Sequence, residues 1–312
     1  MRPKDLVLST DLESALLAFS NTVRPLSGIN DSTSQNVFVE QLVESVHRVR
    51  YVSVIKNRDV SESRADPGDL LFDPLKAAIL KQRSGEIDEA FWLIFLFVHF
   101  GKNSRGGWRY AREVYGGLGE TRWNWMNTSA DPEGFRSWLR INRAYLERKA
   151  PSGGFGNHRK YESLDPDSPG GTGEVVKSYV TWVGPTRTHQ PMVSAALAQS
   201  NGDRKAAFDI LYRSMDAVVH FGRIARFDYL TMVGKLGLAA IEPGSPYILS
   251  SSGPAKGAQL LFGDPSGPAI RVADLNAWTV QLDSYLNVGM QVLEDALCNW
   301  QKSPREFKPF RG

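Results

Sequence analysis

Apolar residues recur every three or four positions in several long segments of the chain, which is the spacing of a buried helix face. This pattern predicts helices over 32–55, 86–100 and 132–148. Pro132 supports the last of these, because proline is favoured in the first turn of a helix. The segment 86–100 is apolar on all sides, which is typical of a helix in the centre of a domain.

The second half of the chain shows the same spacing more regularly. It predicts a helix over 207–219, a tight turn, and a second helix that begins near Arg223. Apolar side chains then step by three or four residues from 275 to 300, which predicts one long final helix. Asp274 suits the N-cap of that helix, and Pro304 suits its end.

Strand signals are weak throughout, so we expect a mostly α-helical protein. A polar segment over 57–74 predicts a loop. Glycine and proline are concentrated over 150–173, which predicts a linker or a functional loop. We expect an N-terminal helical extension over 1–80 and a main helical domain over 81–312.

Composition excludes several classes of protein. Apolar residues make up 42% of the 312 positions and charged residues 23%, which excludes disorder for most of the chain. The single cysteine, Cys298, excludes an internal disulfide and any zinc site that needs two thiolates. The five histidines are scattered and no HExxH motif is present, so we expect neither a metal nor a cofactor.

The longest apolar run covers 91–100, whereas a membrane helix needs about 20 residues. No apolar segment follows the basic start of the chain, so we expect no secretory signal, no membrane span and a cytoplasmic location.

The net charge is only +3, which permits nucleic-acid binding without requiring it. The phosphate-binding P-loop and the dinucleotide fingerprint are both absent.

The most unusual string in the sequence lies in the glycine-rich loop. It places an amide, an imidazole, two cations, a phenol and a carboxylate in succession, at Asn157, His158, Arg159, Lys160, Tyr161 and Glu162. Such a loop can wrap an anionic substrate, because the cations neutralise phosphate and the imidazole moves a proton. The alternative is a polar surface loop with a local ion pair.

A second candidate is the turn His220-Phe221-Gly222 between two predicted helices, where Phe221, Gly222 and Arg223 are the expected DNA-binding residues. A helix-hairpin-helix presents backbone N–H groups that suit a DNA phosphate, whereas an ordinary helical corner has no such role. A third candidate is Lys256, just after Pro254, where a helix N-terminus and a cation form an anion pocket. The alternative there is simple N-capping by Ser252.

Four strings together resemble the α-glutamyl/putrescinyl thymine pyrophosphorylases, specifically their third clade. The resemblance extends from about residue 85 to the C-terminus. The strings that carry it are FWLIFLFVHFGK at 91–102, GNHRKYESL at 156–164, FGRIARFDYL at 221–230 and LEDALCNWQK at 293–302.

The resemblance implies the helix-hairpin-helix DNA glycosylase fold and a DNA substrate. An enzyme of this kind flips a pyrophosphorylated hydroxymethyluracil out of the duplex and replaces its pyrophosphate with an amine from an amino acid or a polyamine. The setting is then DNA-associated, in a bacterial or phage-infected cell. Glycosylases of this fold carry a catalytic carboxylate 20 residues past the second hairpin glycine, a position that corresponds to Glu242 here.

The mechanism requires a base for the incoming ammonium and cations for the leaving pyrophosphate. We expect Glu242 to be the base, with Asp228 as the second candidate. The cationic candidates around the pyrophosphate are His158, Arg159, Lys160, Arg226 and Lys256. Two alternative functions are a DNA glycosylase that excises a modified base and a helix-hairpin-helix protein that binds DNA without turnover.

Overall fold

The computed structural model describes residues 5–148, 154–159, 161–264 and 266–309. This part of the chain is mostly α-helical, as the apolar spacing predicts, and it contains no strand. Its fourteen α-helices are α1 (Leu6–Thr22), α2 (Ser32–Lys56), α3 (Pro74–Arg83), α4 (Ile87–Phe100), α5 (Arg109–Tyr115), α6 (Trp125–Ala130), α7 (Pro132–Arg148), α8 (Thr172–Val183), α9 (Gln190–Gln199), α10 (Arg204–Ser214), α11 (Arg223–Leu236), α12 (Gly253–Phe262), α13 (Val272–Leu286) and α14 (Met290–Trp300).

The prediction of one long final helix is wrong, because α13 and α14 are separated by a turn. Asn287 adopts a left-handed conformation with φ 50°, and Gly289 has φ 90°. The Asp283 carboxylate accepts hydrogen bonds from the amides of Val288 and Gly289, at 3.0 and 2.8 Å. The apolar spacing continues across this turn, so periodicity alone did not reveal it.

Two smaller predictions about helix ends are also corrected. The N-cap of α13 is Arg271, and Asp274 lies in the first turn, where its carboxylate accepts from the Arg271 guanidinium at 2.8 Å. The helix predicted over 207–219 ends at Ser214 and is followed by a short 3₁₀ turn.

The described residues form two compact units. The first contains the chain up to Val52 together with the chain from Pro243 onward, and the second contains Ser53–Glu242. Residue 80, where the sequence predicts the end of an N-terminal extension, lies within α3 of the second unit.

The first unit packs α1 against α13, and α12 against both α13 and α14. Its core is aliphatic with a few large rings, among them Phe38 and Trp300 at a ring-centre distance of 4.8 Å. The crossing of α12 and α14 is close, since a β-carbon at Gly257 would lie 2.2 Å from the carbonyl oxygen of Leu297. Glycine is therefore required at that position.

The second unit is arranged around α4, which packs against α3 and α11. Most of the apolar run is fully buried, as its all-round hydrophobicity predicts. Phe95 stacks on Tyr179 of α8 at 4.0 Å and on Phe221 at 5.3 Å. Aromatic stacking thus joins α4, α8 and the turn before α11 into one core.

A hydrogen-bonded chain of four side chains runs through this core. The Asp88 carboxylate contacts His189 Nδ1 at 2.6 Å, His189 Nε2 contacts the Tyr179 hydroxyl at 2.7 Å, and that hydroxyl contacts the Tyr229 hydroxyl at 2.7 Å. Burial raises the pKa of Asp88, but the hydrogen bonds from His189 outweigh it and hold the pKa below its ordinary value. Burial lowers the pKa of His189, which stays neutral near pH 7.

These charge states fix the direction of the chain. Charged Asp88 accepts the Nδ1 proton of His189, so His189 Nε2 has no proton and accepts from Tyr179. The Tyr179 oxygen in turn accepts the hydroxyl proton of Tyr229. Every donor therefore points toward Asp88.

Candidate functional site

The predicted functional loop is held against the end of α4 by a close backbone crossing. The amide of Gly156 donates to the carbonyl of Phe100 at 2.8 Å. Gly101 follows with φ 61°, and a β-carbon at Gly156 would lie 2.9 Å from the Gly101 carbonyl carbon. Two glycines at the crossing let the loop approach the helix end closely.

The backbone crossing positions the side chain of Arg159 in the interior of the protein. Only 9% of its surface is exposed. Its Nε donates to the carbonyl oxygen of Val98 at 2.6 Å, and its Nη2 donates to the Asp228 carboxylate at 3.3 Å. Arg159 therefore joins the loop to both α4 and α11 through charge-assisted hydrogen bonds.

The second half of the loop contacts the hairpin turn at His220. This residue adopts a left-handed conformation with φ 54°, which is uncommon for a residue other than glycine. A β-carbon on Gly170 would lie 2.2 Å from His220 Nε2, so the missing side chain makes room for the imidazole. The glycines of this loop therefore allow close contacts with neighbouring residues, in addition to changes in the direction of the chain.

Arginines of α7 fix the outer part of the same loop. Arg140 forms a bidentate pair with Asp167, at 2.6 and 3.0 Å, and Arg143 donates to Asp165 at 2.7 Å. Arg136 donates to the carbonyl of Pro166 at 3.0 Å. These contacts connect residues 165–167 of the loop to α7.

A buried histidine lies beneath the loop. His99 Nε2 contacts the Thr172 hydroxyl at 3.0 Å, and that hydroxyl donates to the carbonyl of Ser163 at 2.8 Å. His99 Nε2 is therefore the donor in its contact with Thr172. Burial, together with the charges of Arg159 and His220, lowers the pKa of His99 to about 3, so the ring stays neutral near pH 7.

Glu162 carries a carboxylate at the edge of this region. Its amide donates to the carbonyl of Arg159 at 3.0 Å. Its Oε2 is buried and has no hydrogen-bond partner among the described residues. Burial raises the pKa of Glu162, and the charges of Arg159 and His220 offset this only in part.

We call Arg159, Glu162, His220 and Asp228 the loop cluster. Contacts or electrostatic interactions link each member to at least one other: Arg159 pairs with Asp228, and both Arg159 and His220 act on Glu162. It combines a fixed cation, an imidazole and two carboxylates, groups that can hold an anion and move a proton.

The remaining residues of the predicted loop string lie at the surface. Asn157 and His158 are exposed on a short 3₁₀ turn that ends at Arg159. Tyr161 is 85% exposed, which leaves most of its ring accessible to a ligand. Lys160 lies outside the described residues.

Glu242, the expected base, lies beyond the C-terminal end of α11. Its carboxylate pairs with Arg204 at 3.7 Å, and its side chain is 46% exposed. Its amide donates to the carbonyl of the same arginine at 3.3 Å. Eight residues of helix, about 12 Å, separate Asp228 from the end of α11. The role of Glu242 as the catalytic base stays a prediction.

Two other predicted cations lie on helices. Arg226 pairs with Asp216 and lies over the ring of Tyr212, 4.7 Å from its centre. Lys256 is exposed in the first turn of α12, in the first unit. The Ser251 hydroxyl, rather than that of Ser252, accepts from an amide of that turn, at 3.2 Å.

The predicted DNA-binding turn leads into α11. Phe221 is buried and stacks in the core, so its ring is not available to DNA. Gly222 is the N-cap of α11, with open space where a β-carbon would lie. Arg223 begins the helix and is only 8% exposed. The predicted contact with a DNA phosphate then depends on the backbone N–H groups at the start of α11.

Sequence reasoning did not select Glu162 or His220, although both lie in strings that it singled out. Glu162 closes the unusual loop string, and His220 begins the hairpin turn. The left-handed conformation of His220 and the burial of Glu162 Oε2 depend on tertiary packing and leave no signal in the sequence.

Two further kinds of feature are absent from the described residues. No group of three or more histidine, cysteine or carboxylate side chains in those segments is placed to hold a metal ion. Among the same residues, no helix combines the length and hydrophobicity needed to cross a membrane.

The described residues define a mostly α-helical protein in which an arginine–carboxylate pair joins a glycine-rich loop to α11. Residues 33–312 match the family alpha-glutamyl/putrescinyl thymine pyrophosphorylase clade 3, and the chain belongs to this family. No curated protein and no solved structure shows a significant match to the chain. The family name supports an enzyme of the pyrophosphorylase type that acts on modified thymine.

The buried His99 makes stability depend on pH. In the unfolded chain its pKa lies near the ordinary value of 6.5, whereas in the folded protein it is about 3. The unfolded state therefore binds more protons between these values, and stability present above pH 6.5 is lost as pH falls. We expect His99 to remove about 3 kcal/mol of unfolding free energy between pH 7 and about pH 4.5.

Urea unfolding at both pH values measures this loss. His99→Gln, whose amide can also donate to Thr172, should flatten the profile by that amount. Asn157→Gln, a change at an exposed position without a titratable side chain, should leave the profile unchanged. Equal pH dependence in wild type and His99→Gln would contradict the assignment.

Proposed function

We propose that this protein binds DNA that contains a pyrophosphorylated hydroxymethyluracil and replaces the pyrophosphate with an amine from an amino acid or a polyamine. Family membership supports the thymine-directed part of the proposal. The observation that carries the chemical part is the Arg159–Asp228 pair, which joins the loop to α11, together with His220, which acts with Arg159 on Glu162. A fixed cation there stabilises negative charge that develops on a leaving pyrophosphate.

The base must leave the duplex to react, because enzymes that act on a base within a duplex flip it into a pocket. Tyr161 supports this step, since its ring is 85% exposed next to Glu162 and can stack on a base. The turn at Gly222 supports phosphate binding through the backbone amides that begin α11.

Pyrophosphate release under single-turnover conditions tests the proposal. A duplex oligonucleotide with one pyrophosphorylated hydroxymethyluracil is mixed with excess protein, with and without putrescine or glutamate. We expect pyrophosphate release that depends on the amine. An abasic site would instead indicate a glycosylase, and binding without product would indicate a non-catalytic DNA-binding protein.

Binding to DNA should depend on salt and on basic side chains near the loop. Lys102 is exposed and follows Gly101 at the loop crossing. Replacing it with alanine should weaken binding to all duplex sequences alike and reduce the slope of log affinity against log salt by about one. Arg58→Ala, at an exposed position outside the loop and the hairpin, is the control. Filter-binding titrations measure both variants, and a flat salt response of the wild type would exclude nucleic acid as the partner.

A further inference from the structure

We propose that Glu162 is the catalytic base that removes the proton from the incoming amine. This inference rests on the proposed function and assigns to that reaction a residue that sequence reasoning did not select.

The position of Glu162 is set by Arg159. The amide of Glu162 donates to the carbonyl of Arg159 at 3.0 Å, and the Arg159 side chain is held by Val98 and Asp228. The backbone of Glu162 is therefore attached to the best-anchored residue of the loop. A reacting group requires this kind of fixed position, since small displacements of a catalytic group cost rate.

The carboxylate of Glu162 has an unused acceptor. Its Oε2 is buried without a hydrogen-bond partner among the described residues. Most buried polar atoms in proteins are paired, so an unpaired carboxylate oxygen beside a candidate site suits a donor that arrives with a ligand. An ammonium group is such a donor, because it carries three N–H groups and a positive charge.

The surroundings of Glu162 make its carboxylate a stronger base than an exposed one. Burial raises the pKa of Glu162, while Arg159 and His220, the charged groups that act on it, oppose the shift without cancelling it. Base strength increases with pKa, as long as the group is still ionised at the working pH. The raised pKa of Glu162 therefore favours proton removal by this carboxylate.

The competing carboxylates are occupied by cations. Asp228 accepts from the Arg159 guanidinium at 3.3 Å, and Glu242 pairs with Arg204 at 3.7 Å. An incoming ammonium would have to displace the guanidinium from either of these carboxylates. We therefore assign proton removal to Glu162 and a positioning role toward Arg159 to Asp228.

The step balances without any further reactant. The Glu162 carboxylate takes one proton from the ammonium, which leaves a neutral amine. The amine nitrogen then forms a bond to the exocyclic methylene carbon of the base, while the bond from that carbon to the pyrophosphate oxygen breaks. The bonding electron pair leaves with pyrophosphate, the product nitrogen remains a secondary ammonium, and Glu162 returns to its charged form by releasing the proton it took to water.

Glu162→Gln tests the inference, since it keeps the volume of the side chain and removes the base. Single-turnover rates are measured with the modified duplex and putrescine from about pH 5.5 to about pH 9. We expect a rate at neutral pH lower by a factor on the order of 10² or more, with unchanged DNA affinity. The variant should regain rate as pH rises, because the solution then supplies deprotonated amine. The wild type should instead show an acidic limb that the variant lacks.

Glu174→Gln is the matched control, because Glu174 is partly exposed at the start of α8 and pairs with Arg136 at 3.5 Å. It should react at the wild-type rate. A Glu162→Gln rate near wild type overturns the inference alone. Loss of folding in Glu162→Gln also overturns it, since the carboxylate would then be structural. A wild type that forms no amine adduct overturns both the inference and the proposed function.

Discussion

Replacing Arg159 with alanine is expected to abolish turnover and to destabilise the protein. The substitution leaves the carbonyl of Val98 without its charged donor and Asp228 without its guanidinium. Loss of these charge-assisted contacts should lower the free energy of unfolding by about 2–3 kcal/mol, since Asp228 keeps partial access to water. The rate should fall on the order of 10²-fold or more, because the leaving pyrophosphate loses its fixed cation.

His158→Ala is the neighbouring comparison. Of these two neighbours, Arg159 is buried and His158 is exposed. Its replacement should change the free energy of unfolding by less than about 0.5 kcal/mol. Urea unfolding, with rates measured where each variant is folded, separates the two effects. Equal stability of Arg159→Ala and wild type would contradict the anchoring role.

Removing the hydroxyl of Tyr179 is expected to cost much more than removing that of Tyr229. In Tyr179→Phe, His189 Nε2 loses its donor and the Tyr229 hydroxyl loses its acceptor, both in the core. Two buried groups left without partners should cost about 2–4 kcal/mol. In Tyr229→Phe, Tyr179 still donates to His189, so the cost should be about 1 kcal/mol.

The two tyrosines are well matched for this comparison, because both are fully buried and each substitution removes a single oxygen. Equilibrium unfolding of both variants measures the difference. Equal losses would contradict the direction of the chain, in which every donor points toward Asp88.

The sequence predicted much of the helical architecture, because apolar spacing reports directly on helix faces. The predicted bounds 32–55, 86–100 and 132–148 agree with α2, α4 and α7 to within one residue. The break between α13 and α14 was missed, since it depends on the left-handed residue Asn287 in a segment whose apolar spacing continues.

The site was predicted in outline only. The loop string and Asp228 were both selected, but their contact through Arg159 joins residues that are 69 positions apart in the chain. Such a contact depends on how α4, α11 and the loop pack together. Sequence motifs also did not distinguish the buried Arg159 from its exposed neighbour His158, because burial is a property of the folded chain.

The mass of the DNA product tests the central claim most directly. A duplex oligonucleotide with one pyrophosphorylated hydroxymethyluracil is incubated with the protein and putrescine, and each strand is weighed intact by mass spectrometry. The account predicts a modified strand that has lost pyrophosphate, gained the mass of the amine and kept its glycosidic bond. A strand with an abasic site, or a strand of unchanged mass at saturating protein, would contradict it.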